Sequence, residues 1–503
     1  MKMTADKLQT AIEKLTNLQR TMAAYSHATS MIYYDSVTAS PSDTAAGRGM
    51  TYEILSPISY NLLACEDTGE LLKLLGENAE ALDEQKRREV ELLTRNRDII
   101  AKIPQDEYVK FTLLINEAED VWHKAKAAND FPAFAPYLEK IFDTTIKFAE
   151  YSEPGKDPYD VMLDRYEKGL NRKTCEEFFS RLRSDLVPLI HKINASKQPD
   201  VSFLNGHFSI PQQRLLSDYV MEVMCIDRTH CNIGETEHPF TISFNNHDVR
   251  ITTKYFEEDF SNSLYSVIHE AGHALYDLGV ADQLQYTCLS NGTSMGIHES
   301  QSRLFENNLG RSRAFIKLMM PKFIELFPQL SGVTAEQMYH AVNKSQPSLI
   351  RIEADELTYS LHIMVRYEIE NLLLHKEISV NDLPKVWAEK IQSYLGIEVP
   401  DDKRGVLQDV HWSDGLLGYF PSYAIGSAYS AQMMHAMKKD LDPEKAIGTG
   451  TLKPIVDWLG QRVHQSGSLY DPAVVLKNCT GEDFNPKYYT DYLNAKFSDL
   501  YGL

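Results

Sequence analysis

Residues 266–279 read SVIHEAGHALYDLG, and this segment constrains the fold more than any other part of the chain. Leu264, Val267, Ile268, Ala271, Leu275 and Leu278 recur at helical spacing, so one stripe of the helix must face a core. His269 and His273, four residues apart, share a face. A helix carrying H-E-x-x-H can aim both imidazoles at one metal ion. Glu270 then stands where it can take a proton from a water on the ion's open side. At 16 His in 503 residues, composition gives about 0.04 accidental matches to this pattern. The competing reading, two buried structural histidines beside a solvated Glu, is therefore the weaker one. Asp259, Ser261 and Ser263 offer N-cap oxygens upstream, and Gly279 offers a C-terminal stop.

The rest of the chain reads as mostly helix. A chain of 503 residues exceeds the size at which one simple core keeps growing, which predicts two or more lobes around a cleft. Apolar periodicity predicts helices over about 5–28, 48–66, 82–102, 105–128, 133–151, 173–196 and 211–224, with a loop at 36–43. The pattern changes near Thr229. His238 to Phe244 and Asp248 to Thr253 alternate with period two about an Asn245-Asn246 turn, which predicts a β-hairpin directly before the H-E-x-x-H helix. An edge strand there would let a peptide add as a further strand. No repeat, low-complexity segment or flexible interdomain linker stands out.

Composition narrows the function classes. A net charge of −20 argues against non-specific binding to nucleic acid or anionic membranes. It also repels acidic peptides at long range unless the cleft has its own local sign. Six scattered cysteines make no disulfide framework, and Cys225 and Cys231, near His230, read as free thiols in a reducing compartment. The N-terminus lacks a signal-peptide apolar core, and no apolar run is long enough to span a membrane. A cytoplasmic protein is the expectation.

Two histidines leave a catalytic metal site one protein ligand short. Asp277, Asp282, His298, Glu299 and Glu306 are downstream candidates. Glu299 is preferred, because Ser300 and Ser302 let its helix pack close to the first. Asp277, four residues after His273, is expected to accept a hydrogen bond from a ligand imidazole, and His298 to point elsewhere.

Further short motifs follow in order. They are His238-Pro239-Phe240 (H-P-F), Asp248 to Thr252 (D-x-R-x-T), His298-Glu299-Ser300-Gln301 (H-E-S-Q), Ile350 to Asp355 (I-R-x-x-A-D) and Gly405 to Trp412 (G-x-x-Q-D-x-H-W). With H-E-x-x-H they make six ordered matches. The chain thereby resembles the M32, or thermostable-carboxypeptidase, family of zinc metallocarboxypeptidases over essentially its whole length. It departs near Tyr33-Tyr34-Asp35-Ser36, where the family usually reads W-D-Q followed by a Pro-Gly-Gly turn. That departure bears on N-terminal packing and cleft shape.

The resemblance implies a mainly α fold of two helical lobes around a deep groove. It also implies a small β-sheet beside the H-E-x-x-H helix, as in gluzincins of the neurolysin and angiotensin-converting-enzyme type. It implies one catalytic domain over 1–503, with one Zn2+ per chain held by His269, His273 and Glu299; Co2+ suits the same donors. The implied reaction releases single C-terminal residues from peptides with broad specificity, and the implied assembly is a homodimer. Glu270 would be general base and acid. Tyr423, with Tyr419 as runner-up, would donate to the oxyanion. Arg351, in an expected helical run, is preferred to hold the terminal carboxylate; Arg250 is the other candidate, unless a salt bridge with Asp248 or a nearby acid occupies it. His238 and His411 would donate to substrate carbonyls, while Gln408, Asp409 and Trp412 read as scaffold. A dipeptidyl carboxypeptidase or oligoendopeptidase on the same scaffold is the alternative, and a non-catalytic peptide-binding protein the third reading.

Overall fold

A computed structural model of the chain describes residues 4–41 and 43–503. Residues 1–3, and Ser42 within the loop expected after the first helix, lie outside the described residues. The architecture is mainly helical with one three-stranded sheet. Helices Gln105–Ala128, Phe131–Ser152, Arg172–Asn194 and Ile210–Val223 fall within two residues of their periodic patterns. The first helix is longer than its stripe, Ala5–Thr38, and the loop starts later. Its last turns are held by tertiary contact, Tyr33 and Tyr34 packing on Phe240, and local periodicity carries no trace of that. Pro158 is the first residue of helix Pro158–Tyr166, capped by the Asp157 side chain, a position where a missing N–H costs nothing.

The apolar core divides. A small cluster of Ala11, Leu15, Leu63, Leu72, Leu75, Leu82, Val90 and Leu93 belongs to the N-terminal helices. A far larger cluster runs from Ala118 to Leu500. Polar contacts join the two. Arg88 donates to the Ser468 carbonyl at 3.2 Å and pairs with Asp471 at 2.5 Å, and Arg95 pairs with Asp164 at 3.1 Å.

The expected hairpin forms β2 (Thr241–Asn245) and β3 (Asp248–Thr253). Strand pairing starts at Thr241, not at His238. A third strand, β1 (Cys231–Glu235), pairs parallel to β3, giving the order β1-β3-β2. β1 reads Cys-Asn-Ile-Gly-Glu, too short and irregular to announce itself by alternation. β2 is one of the two edge strands and lies against the H-E-x-x-H helix (Phe260–Gly279), where Thr241 Oγ1 reaches the Glu270 carbonyl at 3.0 Å. Asp259 caps that helix. Gly279 is its last helical residue, not a left-handed stop. A Cβ there would stand 2.6 Å from His464 Cβ, so the glycine admits a neighbour.

Candidate active site

Two glycines set the depth at which the site is built. Gly272 lies between the motif histidines, and a Cβ on it would meet Ser302 Cα at 2.7 Å and the Gln301 carbonyl oxygen at 2.9 Å. The helix Met295–Arg303 therefore packs backbone to backbone on the H-E-x-x-H helix. On its other side Gly426, in helix Pro421–Asp440, leaves room for Glu299, whose Cβ and Cγ lie 2.7 Å from the missing Cβ. Glu299 is thus clamped between two helices, with its carboxylate beside the histidines.

His269, His273 and Glu299 present donor atoms that all lie within 4.8 Å of one another. Glu299 Oε2 is 3.7 Å from His269 Nε2 and 3.5 Å from His273 Nε2. Those separations are too long for good hydrogen bonds. They approach the ~3.3 Å edge of a tetrahedron with metal–ligand arms of ~2.0–2.1 Å. The donor set thus fits a divalent ion on one side and leaves a position open. Glu299 Oε1 accepts from Arg303 Nε at 2.6 Å and Oε2 from Ser302 Oγ at 2.9 Å. Against the cost of burial, Arg303 and the two imidazoles hold this carboxyl well below the usual carboxylate range.

The far ring nitrogens are occupied. His269 Nδ1 is 2.9 Å from Glu306 Oε2, which fixes the tautomer that leaves Nε2 free. Glu306 reaches it because the helix widens to π geometry over Leu304–Gly310. His273 Nδ1 lies 2.6 Å from His298 Nδ1, and His298 Nε2 lies 3.1 Å from Asp277 Oδ1. A proton on His273 Nδ1 and one on His298 Nε2 satisfy the whole relay. Two expectations need correction. Asp277 sits one turn beyond His273 and serves a ligand imidazole only through His298. His298 does not point elsewhere but fills the gap between them.

Glu270 is buried beside the donor set, and Thr241 Oγ1 donates to its Oε2 at 2.6 Å. The edge strand therefore touches the expected general base directly, a link no spacing revealed. A cavity of about 1190 Å3 is lined by the three donor residues, Glu270, His238, Arg351 and Tyr423. Tyr423 OH lies 3.4 Å from His411 Nε2. Burial pushes the Tyr423 phenol up, so it stays a donor at neutral pH. Burial, then nearby Arg351, pushes His411 down to about 4, so its ring is neutral there. His238 is exposed at the cavity rim, just before β2.

The two arginines part company. Arg351 lines the cavity, but on a 3-10 turn, Arg351–Glu353, not in a helical run; Asp355 then caps helix Glu356–Leu374. Its Nε and Nη2 donate to Asp409 Oδ1 at 3.0 and 2.9 Å, and Nη1 lies 3.4 Å from Tyr359 OH. Asp409, which also accepts from Arg366 Nε at 2.7 Å, positions the guanidinium, while Gln408 Oε1 accepts from the Arg351 backbone N–H at 2.9 Å. Arg250 does not line the cavity. Asp248 holds it at 2.8 and 2.9 Å, and it stacks 5.1 Å over Tyr34. The carboxylate role expected for Arg250 loses its geometric basis.

Residues 14–497 match the model of the carboxypeptidase Taq (M32) metallopeptidase family. The chain is a member of the M32 family. It is 39% identical to carboxypeptidase 1 of Bacillus subtilis over 99% of this chain and 100% of that one. It is 34% identical to thermostable carboxypeptidase 1 of Pyrococcus furiosus over 97% and 98% of the two chains. The M32 carboxypeptidase structure from Deinococcus radiodurans superposes with a TM-score of 0.96 at 34% identity, covering 98% of this chain and 100% of that one. The M32 membership makes the chain a peptidase, supports carboxypeptidase activity on peptides, and implies a divalent metal. Among the described residues no helix is long and apolar enough to cross a membrane.

Proposed function

We propose that this M32 peptidase is a zinc carboxypeptidase of broad specificity that removes one residue at a time from peptide C-termini. The observation that carries the reading is the convergence of His269 Nε2, His273 Nε2 and Glu299 Oε2, with the Glu270 carboxylate alongside. One ion per chain held there supplies Lewis acidity to a water and to the scissile carbonyl. Zinc is the first choice and cobalt fits the same donors.

The protein's own groups do the rest. Glu270, oriented by Thr241, takes the proton of the attacking water and delivers it to the leaving amine. Tyr423 donates to the developing oxyanion. His238, at the cavity rim, donates to a substrate carbonyl; the carbonyl role expected for His411 lacks that support, because His411 does not line the cavity and its Nε2 lies 3.4 Å from Tyr423 OH. Arg351 offers the Nη1 edge of its guanidinium to the terminal carboxylate, while Asp409 holds the opposite edge. The peptide runs along β2 as an added strand. The whole chain acts as one catalytic domain, in the cytoplasm and as a homodimer.

The test is a timed digest of one peptide, as free acid and as C-terminal amide, read by mass together with metal analysis of the enzyme. A ladder of single-residue losses from the free acid alone, with one zinc per chain, is the expected result. Dipeptide losses or internal fragments would favour the dipeptidyl or oligoendopeptidase reading.

A further inference from the structure

A second cavity of about 470 Å3 opens off the metal cleft, and the two share Thr241, Asp277, Met295 and His298. The edge strand β2 contributes Thr241, Ile242 and Ser243, the turn from Asn291 to Ser294 lines another side, and Arg165 lines a third, from the end of helix Pro158–Tyr166. The charge inventory of this side arm is short. Its one lining carboxylate among the described residues is Asp277, which is committed to His298 at 3.1 Å. Its one lining arginine or lysine among them is Arg165.

Every arginine lining the main cleft has an acid. Arg303 pairs with Glu299 and Glu306, Arg311 with Glu306 and Arg351 with Asp409. Among the described residues Arg165 pairs with no carboxylate. Its Nη2 donates to Ser152 Oγ at 3.3 Å, and its Nε is buried without an acceptor. The nearest acids in sequence are engaged elsewhere: Asp164 pairs with Arg95 at 3.1 Å, and Glu167 accepts from the Gly296 N–H at 2.8 Å and Tyr429 OH at 3.3 Å. Burial pushes the guanidinium pKa down, with only the Tyr166 phenol set against it. Arg165 stands between the side arm and a pocket of about 300 Å3 on its other side, where Glu91, Asp98, Glu153 and Asp164 form no ion pair with it among the described residues. A buried guanidinium without an ion pair costs stability, and this one stands beside the strand along which a peptide would lie.

We infer that Arg165 is the recognition element of a substrate subsite that takes a carboxylate of the peptide bound along β2. The inference rests on the peptidase reading above and adds a preference to it. Side chains of an added strand project alternately, so one position in two can present an acidic group to this arm. Arg165 also supplies the local positive sign that a chain of net charge −20 needs if acidic peptides are to enter its cleft. The carboxylate it takes is that of an Asp or Glu side chain, because the reading above gives the terminal carboxylate to Arg351 in the main cleft.

The experiment measures kcat/KM for peptide pairs carrying Glu or Gln at each of the last four positions, each as free acid and amide. It compares the wild-type enzyme with Arg165→Met and Arg165→Lys, after melting curves show that each is folded; Arg165→Gln replaces Met if Met is not. Charge-assisted hydrogen bonds are worth about 1.5–3 kcal/mol, so a Glu-over-Gln ratio of about 10-fold or more is expected at one position in the wild type. Arg165→Met brings that ratio to near one and Arg165→Lys restores part of it. Loss of the free-acid requirement in Arg165→Met would give the terminal carboxylate to Arg165 and overturn the inference, as would survival of the Glu-over-Gln ratio in that variant. A wild-type enzyme that cleaves none of the peptides refutes the peptidase reading, which is a different result.

Discussion

Gly272→Ala should disarm the metal site without touching a ligand. The new Cβ would stand 2.7 Å from Ser302 Cα and 2.9 Å from the Gln301 carbonyl oxygen, both backbone atoms. Carbon atoms in easy contact are about 3.5–4.0 Å apart, so the two helices must separate by about 1 Å. Without metal the effect is modest. Overpacking costs about 1–3 kcal/mol, and alanine regains about 1 kcal/mol of helix propensity. The metal-bound state suffers more, because a ligand set tolerates displacements of only about 0.2 Å and Glu299 rides on the displaced helix. Affinity should fall by about 100-fold, the upper end of losses for disturbed outer contacts. At metal a thousandfold above the wild-type Kd, metal-linked stabilisation then drops from about 4.1 to about 1.4 kcal/mol. Melting curves in chelator and in metal read both numbers. A variant with the full wild-type metal-induced shift would refute the claim that this glycine sets the distance between Glu299 and the histidines.

Other perturbations probe the surrounding groups. Glu306→Ala removes the acceptor at His269 Nδ1 and should weaken metal binding by about 10–100-fold, measured by competition with a chromogenic chelator. Asp409→Asn leaves the buried Arg351 and Arg366 without their shared anion and should cost about 3–5 kcal/mol in denaturant unfolding. Glu370 is fully buried and accepts from Tyr159 OH, Trp412 Nε1 and the Gly418 N–H. Burial pushes its carboxyl up to about 7. A folded-state value above the unfolded one means the folded protein holds the extra proton. The associated stability is present below the usual carboxylate range and fades as pH rises toward 7. Glu370→Gln should flatten that decline, seen in chemical melts from pH 4.5 to 8; an unchanged slope would place the titration elsewhere.

How much of this was legible in the chain depends on how local each signal is. The H-E-x-x-H helix, its Asp259 cap and the β2–β3 hairpin are written in short-range periodicity and spacing, and they stand where the sequence puts them. Glu299 was favoured for its small neighbours. The structure adds that Gly272 and Gly426 make the close approach, on two helices 154 positions apart in the numbering. β1 escaped notice because it gains its place by pairing with β3, not by its own pattern. The roles of Glu306 and His298 depend on a π turn and on a ring-to-ring contact between helices, neither of which has a sequence period. Arg351 was placed in a helix from its neighbours, but that helix starts only after Asp355, whose side chain caps it. Arg250 shows the converse. Its Asp248 partner two residues away was visible from the start, and that local ion pair is where the side chain is spent.

The central claim is that Glu270 moves the proton while His269, His273 and Glu299 hold the metal. Glu270→Gln keeps the size of the side chain and a carbonyl that can still accept from Thr241, but it removes the base. Zinc content and kcat measured on the same preparation separate the two roles. The expected result is one zinc per chain, as in the wild type, with kcat lower by at least about 10²–10⁴-fold. A variant that keeps its zinc and turns over at near the wild-type rate would contradict the account.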